Sequence, residues 1–152
     1  MTEHYRRPGW FTRNVFNRAV ARLTRLGVSV WGSRVLEVRG RRSGEPRRTP
    51  VNLLTVDGRS YLVAARGETE WVRNLRAVGG HLTLAVGRRR QAWEATELFG
   101  DDRLPVLRRY LDRWKWEVGA FFGGVGGEST EEAWAAEARR HPVFRLAPST
   151  RP

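Results

Sequence analysis

Hydrophobic residues first recur at helical spacing. Phe11, Val15, Ala19, Leu23 and Leu26 lie four, four, four and three apart, which sets them on one side of a helix over residues 10–26. Pro8-Gly9 before it and Gly27 after it act as start and stop. Arg18, Arg22 and Arg25 border the apolar face, an arrangement that suits a membrane surface or packing on the chain's own domain. From residue 35 the period shortens. Strands are predicted over residues 35–38, 51–56, 61–65, 82–86 and 92–98, with a short helix over 70–77. Asp57-Gly58 is the clearest hairpin turn, because tight primed turns need positive φ. The last third returns to helical spacing. Leu104, Leu107, Leu111, Trp114 and Val118 alternate three and four apart behind a cap at Asp101-Asp102. Ser129 and Glu132 fit the capping box of one more short helix, and residues 143–146 form a final strand. Tight hairpins in place of long crossovers predict a mainly β, α+β domain with an antiparallel barrel or meander.

A length of 152 residues fits one domain, read as an N-terminal helix within 1–27, a barrel core at 34–99 and C-terminal helices with a last strand at 100–152. Hydrophobic residues at 40% can build a core and exclude a disordered chain. The absence of cysteine excludes disulfides, thiolate metal sites and a cysteine nucleophile. No apolar run reaches the roughly 18 residues of a membrane span, and the N-terminus has no apolar signal core, so a cytoplasmic protein is expected. The net charge is +12, and Lys115 is the only lysine among 28 basic residues. Such a surface attracts polyanions: nucleic acid, anionic lipid, or a phosphorylated or polycarboxylate ligand.

Three segments carry candidate chemistry. Arg41-Arg42-Ser43-Gly44-Glu45-Pro46-Arg47-Arg48 packs four guanidinium groups and a hydroxyl between two strands. Guanidinium forks bind phosphate or carboxylate oxygens in pairs, and like charges so close repel without a counter-anion. Ala64-Ala65-Arg66-Gly67 ends a strand with small residues, which suits a flat ligand or a tight barrel corner. Trp71 and Asn74 share a face of the short helix. His4, His81 and His141 have no metal-ligand spacing, and Ser43 lies outside a nucleophile elbow. No metal site or protein-borne catalytic residue is identified, so an enzyme of this kind would rely on a bound cofactor.

The string Gly40-Arg41-Arg42-Ser43-Gly44-Glu45-Pro46-Arg47, then Pro50, Ala64-Ala65-Arg66-Gly67 and Trp71-Val72-Arg73-Asn74-Leu75, closely resembles the deazaflavin-dependent nitroreductase and quinone reductase family of actinobacteria. The resemblance spans about residues 35–98. It implies a split β-barrel of the flavin- and deazaflavin-binding type and hydride transfer from reduced coenzyme F420 to a quinone, nitroaromatic or similar electron-poor acceptor. FMN is the alternative cofactor. F420 carries a phosphate and an oligoglutamate tail, a polyanion of the kind the arginine loop requires. By resemblance, Arg41, Arg42, Ser43, Gly44, Pro46 and Arg47 hold phosphate and tail. Val51 and Asn52 lie near the ring, Ala64, Ala65 and Arg66 bring backbone to its edge, and Trp71 and Asn74 support the pocket. Trp114, Phe121 and Phe122, with Val118 on the same apolar face, are the expected substrate wall. The segment before Trp71 is shorter than in familiar relatives, and no hydroxyl donor for the substrate is identifiable. Two other readings compete: a basic nucleic-acid-binding module, disfavoured because most tryptophans fall at core positions, and a non-catalytic cofactor carrier. The oligomeric state is open, a homodimer included, as is weak peripheral membrane contact through residues 10–26.

Overall fold

The computed structural model describes residues 33–150. The helix expected over residues 10–26, with its arginine border, lies outside them. Within them run β1 (Ser33–Arg39), β2 (Pro46–Asn52), β3 (Leu54–Val56), β4 (Arg59–Val63), α1 (Glu70–Ala77), β5 (His81–Val86), β6 (Arg89–Leu98), α2 (Arg103–Val118), α3 (Glu131–Ala138) and β7 (Val143–Pro148). The strands form one seven-stranded sheet in the order β2-β1-β5-β6-β7-β4-β3, and every described pair is antiparallel.

This order forces the sheet to curl. β2 and β3 are its two opposite edges, yet only Leu53 separates them in the chain. Two Cα steps span at most about 7.6 Å. The edges therefore meet at a corner without a ladder between them, and the barrel is split at that seam. The predicted single strand over residues 51–56 is thus two strands: Asn52 is the last partner of β1, opposite Ser33, and Leu54 begins a new ladder opposite Tyr61.

Alternation along the strands separates two cores. Leu36, Val38, Leu62, Leu84, Phe144 and Leu146 fill the barrel, with Val72 and Leu75 of α1 packed among them. The opposite phase of the same strands, Val63 of β4 and Val143 of β7, meets α2 and α3. The helical face predicted at Leu104, Leu107, Leu111, Trp114 and Val118 is buried there, joined by Val106 and Tyr110.

The turn at Asp57-Gly58 takes φ of 52° and 78°, as a primed hairpin requires. The caps differ from expectation. Asp102 makes no side-chain cap bond, because a 3-10 turn over Gly100–Asp102 feeds directly into α2 and leaves it in helical backbone. At α3 the cap is one residue later than predicted: Thr130 Oγ1 accepts from Ala133 N–H at 3.1 Å, and Ser129 Oγ accepts from Gly126 N–H.

Candidate functional site

A cavity of about 690 Å3 opens between the β1–β2 hairpin, the end of β4, the first turns of α1 and the last turns of α2. Its mouth is the arginine turn. Gly40 N–H donates to Glu45 O at 2.8 Å, and Gly44 N–H donates to Gly40 O at 2.9 Å. Gly44 has φ of 73°, which suits glycine. Gly40 is buried, and a Cβ there would sit 2.8 Å from Ser43 Oγ. The turn is shorter than the sequence suggests, since Arg47 and Arg48 already belong to β2, opposite Val38 and Glu37.

The four guanidinium groups are not equivalent. Arg41 is anchored on α1: its backbone N–H and its Nη1 donate to Asn74 Oδ1 at 3.1 and 2.8 Å, and Nη1 also donates to Glu70 Oε2 at 2.7 Å. The Arg41 hydrogen bond holds the Glu70 carboxyl below its usual range. Arg48 donates to Glu37 at 2.8 Å, and Arg90 reaches the same carboxylate. Burial alone would raise Glu37, but the hydrogen bonds from Arg90 and Arg48 outweigh it and hold the carboxyl low. Part of the like-charge repulsion is therefore relieved from within the fold. Arg42 makes no hydrogen bond or ion pair with the described residues, and Arg47 donates only a long bond, 3.4 Å, to Ser43 Oγ. These two remain for an external anion.

The inner wall is mostly apolar. Val51 and Asn52 come from β2, and Ala64, Ala65 and Arg66 from the strand end after β4. Ala64 has its backbone occupied: N–H donates to Pro142 O at 2.8 Å, and its carbonyl accepts from Gly67 N–H at 3.1 Å and lies 3.2 Å from His141 Nδ1. Trp71 lies on the wall with its ring 5.9 Å from that of Phe144. Phe121 closes the far side, with the Arg66 guanidinium 5.5 Å from its ring centroid. The wall also carries a polar cluster. The side-chain amide of Asn52 lies beside both the Tyr110 hydroxyl and the Glu117 carboxyl. Burial pushes both acids up, against the pull of Asn52. Glu117 Oε2 is buried and has no hydrogen-bond partner among the described residues.

A family model described as F420H(2)-dependent quinone reductase matches residues 8–117. The chain belongs to this family. It is an oxidoreductase whose coenzyme is F420. No curated protein sequence matches it. Among solved structures it is similar to an F420-H2 dependent reductase, FDR-A, at 18% identity over 76% of this chain and 94% of that one, with a TM-score of 0.51. It also resembles a domain-swapped dimer (19% identity, 90% and 97% covered, TM-score 0.54). A third likeness is to a putative pyridoxamine 5'-phosphate oxidase from Listeria innocua (12% identity, 78% and 85% covered, TM-score 0.52). These likenesses show the split-barrel fold of the flavin-binding type.

In this family member most residues expected at the cofactor do line the one cavity: Arg41, Arg42, Ser43 and Arg47 at the mouth, with Val51, Asn52, Ala64, Ala65, Arg66, Trp71 and Asn74 inside. Gly44 and Pro46 do not. Gly44 shapes the turn, and Pro46 starts β2 on the exposed side. Trp114 and Phe122 correct the expected substrate wall. Both are fully buried in the helical core. Phe122 stacks on His141 with centroids 4.0 Å apart, and Trp114 packs on Tyr110 at 4.9 Å. The cause is local: α2 departs from helical geometry at Trp114 (φ −123°, ψ 25°) and is followed by a 3-10 turn over Gly119–Phe121. Phe121 faces the cavity while its neighbour faces the core. Val118, expected on the substrate wall with these aromatics, does line the cavity, whereas sequence reasoning missed Tyr110 and Glu117 as wall residues. The available signal was that Tyr110 and Glu117 lie seven apart, on one face with Trp114 and Val118.

Proposed function

We propose that the cationic mouth holds the phosphate and oligoglutamate tail of F420, and that the inner wall presents its ring to a flat, electron-poor acceptor, a quinone or a nitroaromatic. One observation carries this reading: two guanidinium groups without a carboxylate partner, Arg42 and Arg47, stand at the mouth of a cavity with a mostly apolar interior. Anionic oxygens there gain paired, charge-assisted hydrogen bonds. F420 fits this donor set, because its tail supplies several carboxylates at one end and its ring is flat at the other.

The bound coenzyme supplies the hydride. The chain's residues do the rest. Arg42, Arg47 and Ser43 bind the anionic end. Arg41, tied to Asn74 and Glu70, fixes the turn against α1. With Ala64 engaged by Pro142 and Gly67, contact at the strand end passes to Ala65 and Arg66. Trp71 and Val51 exclude water from the ring, and Phe121 offers the acceptor a flat apolar surface. A nucleic-acid binder would instead display stacking rings on an open basic face.

The test is fluorescence titration with F420, its tailless ring fragment, FMN and a short DNA duplex. Oxidation of reduced F420 by a simple quinone and by a nitroaromatic is then followed. Tight binding of F420 over FMN and duplex, with quinone-dependent oxidation, is expected. Equal affinity for FMN and F420, or preference for duplex, overturns the reading. Binding without oxidation by any acceptor would favour a carrier.

A further inference from the structure

We propose that Glu117 is the acid that protonates the acceptor oxygen as hydride arrives, with Asn52 as the positioning residue that orients its carboxyl. The proposal rests on the F420 reading above. Reduction of a quinone to a hydroquinone takes one hydride and one proton. The hydride and its electron pair come from the reduced coenzyme, which is oxidised. The proton leaves the carboxyl of Glu117, a residue of the cavity wall, and forms the O–H bond on the acceptor, and water at the cavity mouth restores it to the carboxylate.

The cavity offers few other donors. Its guanidinium groups, on Arg41, Arg42, Arg47, Arg48 and Arg66, hold their protons too tightly. Glu70 sits at the mouth, ion-paired with Arg41 and kept ionised. The Tyr110 phenol faces the same amide as Glu117 but is held well above its ordinary range by burial. His141 is fully buried, against Phe122 and Glu137, and does not line the cavity. Glu117 differs from each of these. No salt bridge engages it among the described residues, it shares the cavity wall with Asn52, whose amide lies beside its carboxyl, and one carboxyl oxygen is withdrawn from solvent without a partner. A buried oxygen lacking a hydrogen bond is costlier still when it carries charge, which favours the protonated carboxyl. Burial lifts the carboxyl above the usual range, the condition for an acid to keep its proton nearer neutral pH.

The isosteric variant Glu117→Gln tests this. Its Kd for F420 is expected within about twofold of the wild type, while kcat for quinone reduction falls about a hundredfold or more, in the range for loss of a general acid. The wild-type kcat should fall at alkaline pH, and that limb should be absent in the variant. Infrared titration without coenzyme should show the carbonyl stretch of a protonated carboxyl that persists above the ordinary carboxylate range and is missing in Glu117→Gln. Turnover of the variant close to wild type, or titration of that band in the ordinary range, overturns the proposal while leaving the coenzyme reading intact. Failure of the wild type to bind F420 overturns the coenzyme reading, and this one with it. If Glu117→Gln does not fold, Glu117→Asp carries the test: a shifted alkaline limb with partial turnover supports the role, and an unshifted limb overturns it.

Discussion

Replacing Arg42 and Arg41 in turn separates binding from folding within a single turn of six residues, Gly40 to Glu45. Arg42→Ala removes an exposed guanidinium that makes no hydrogen bond or close ion pair with the described residues and acts on Glu70 only through its charge. Its expected effect on stability is within about 0.5 kcal/mol, as for surface substitutions away from a network. Its expected effect on F420 is large. One charge-assisted hydrogen bond to a phosphate or carboxylate contributes roughly 1.5–3 kcal/mol. At 1.4 kcal/mol per factor of ten, affinity falls about ten- to a hundredfold. Arg47→Ala should behave alike, losing only a long bond to Ser43. Arg41→Ala is the contrast. It removes two hydrogen bonds to carboxyl and amide oxygens, and the Asn74 amide is only 5% exposed. Weakening the bonding of a buried polar group costs about 1–3 kcal/mol, so this variant should melt earlier. The assay is fluorescence titration with F420 and with its tailless ring fragment, beside thermal unfolding. For Arg42→Ala the loss should be greater for tailed than for tailless ligand and should shrink as salt rises, because screening already weakens the wild type. Unchanged F420 affinity in both Arg42→Ala and Arg47→Ala would refute the assignment of the anionic end to this turn.

Phe122→Ala should destabilise the fold by about 3–5 kcal/mol, measured by denaturant unfolding, because its ring is fully buried against His141. Phe121→Ala should instead change acceptor preference with F420 affinity retained, read as kcat/KM across quinones of increasing size. Gly80→Ala places a Cβ against the Ala95 carbonyl at a φ of 90° and should cost at least about 2 kcal/mol by the same unfolding assay. Glu117 has a raised carboxyl, so the folded state holds a proton that the unfolded state releases. Wild-type stability should therefore decline as pH rises from about 4 through the raised value, and Glu117→Gln should gain melting temperature relative to wild type over that window. Glu37 is depressed by Arg90 and Arg48, so the stability it contributes is present at neutral pH and lost as pH falls through about 4 and below; the melting-temperature gap to Glu37→Gln should close on acidification.

The sequence by itself determined what local physics encodes. Period-two alternation located most of the strands, Asp57-Gly58 marked the primed turn, and the three–four spacing from Leu104 to Val118 marked the buried face of α2. The arginine string, the alanine strand end and Trp71 with Asn74 were legible as one family's pattern, and they line one cavity. Tertiary structure decided what depends on partners far apart in the chain. Arg41 is held by Glu70 and Asn74, 29 and 33 residues away, so its charge is not simply available to a ligand. The break at Leu53 exists because opposite edges of a curled sheet meet there, which no local propensity specifies. Phe121 and Phe122 have equal hydrophobicity, and only the irregular end of α2 sends one to the cavity and the other to the core. Glu117 reads in sequence as one more charge on a helix. It becomes a candidate acid only where the barrel seam brings Asn52 beneath it and burial takes its oxygen out of water. Backbone preference and burial period are properties of neighbouring residues, whereas a site's protonation and its open faces are set by what the closed fold packs against them.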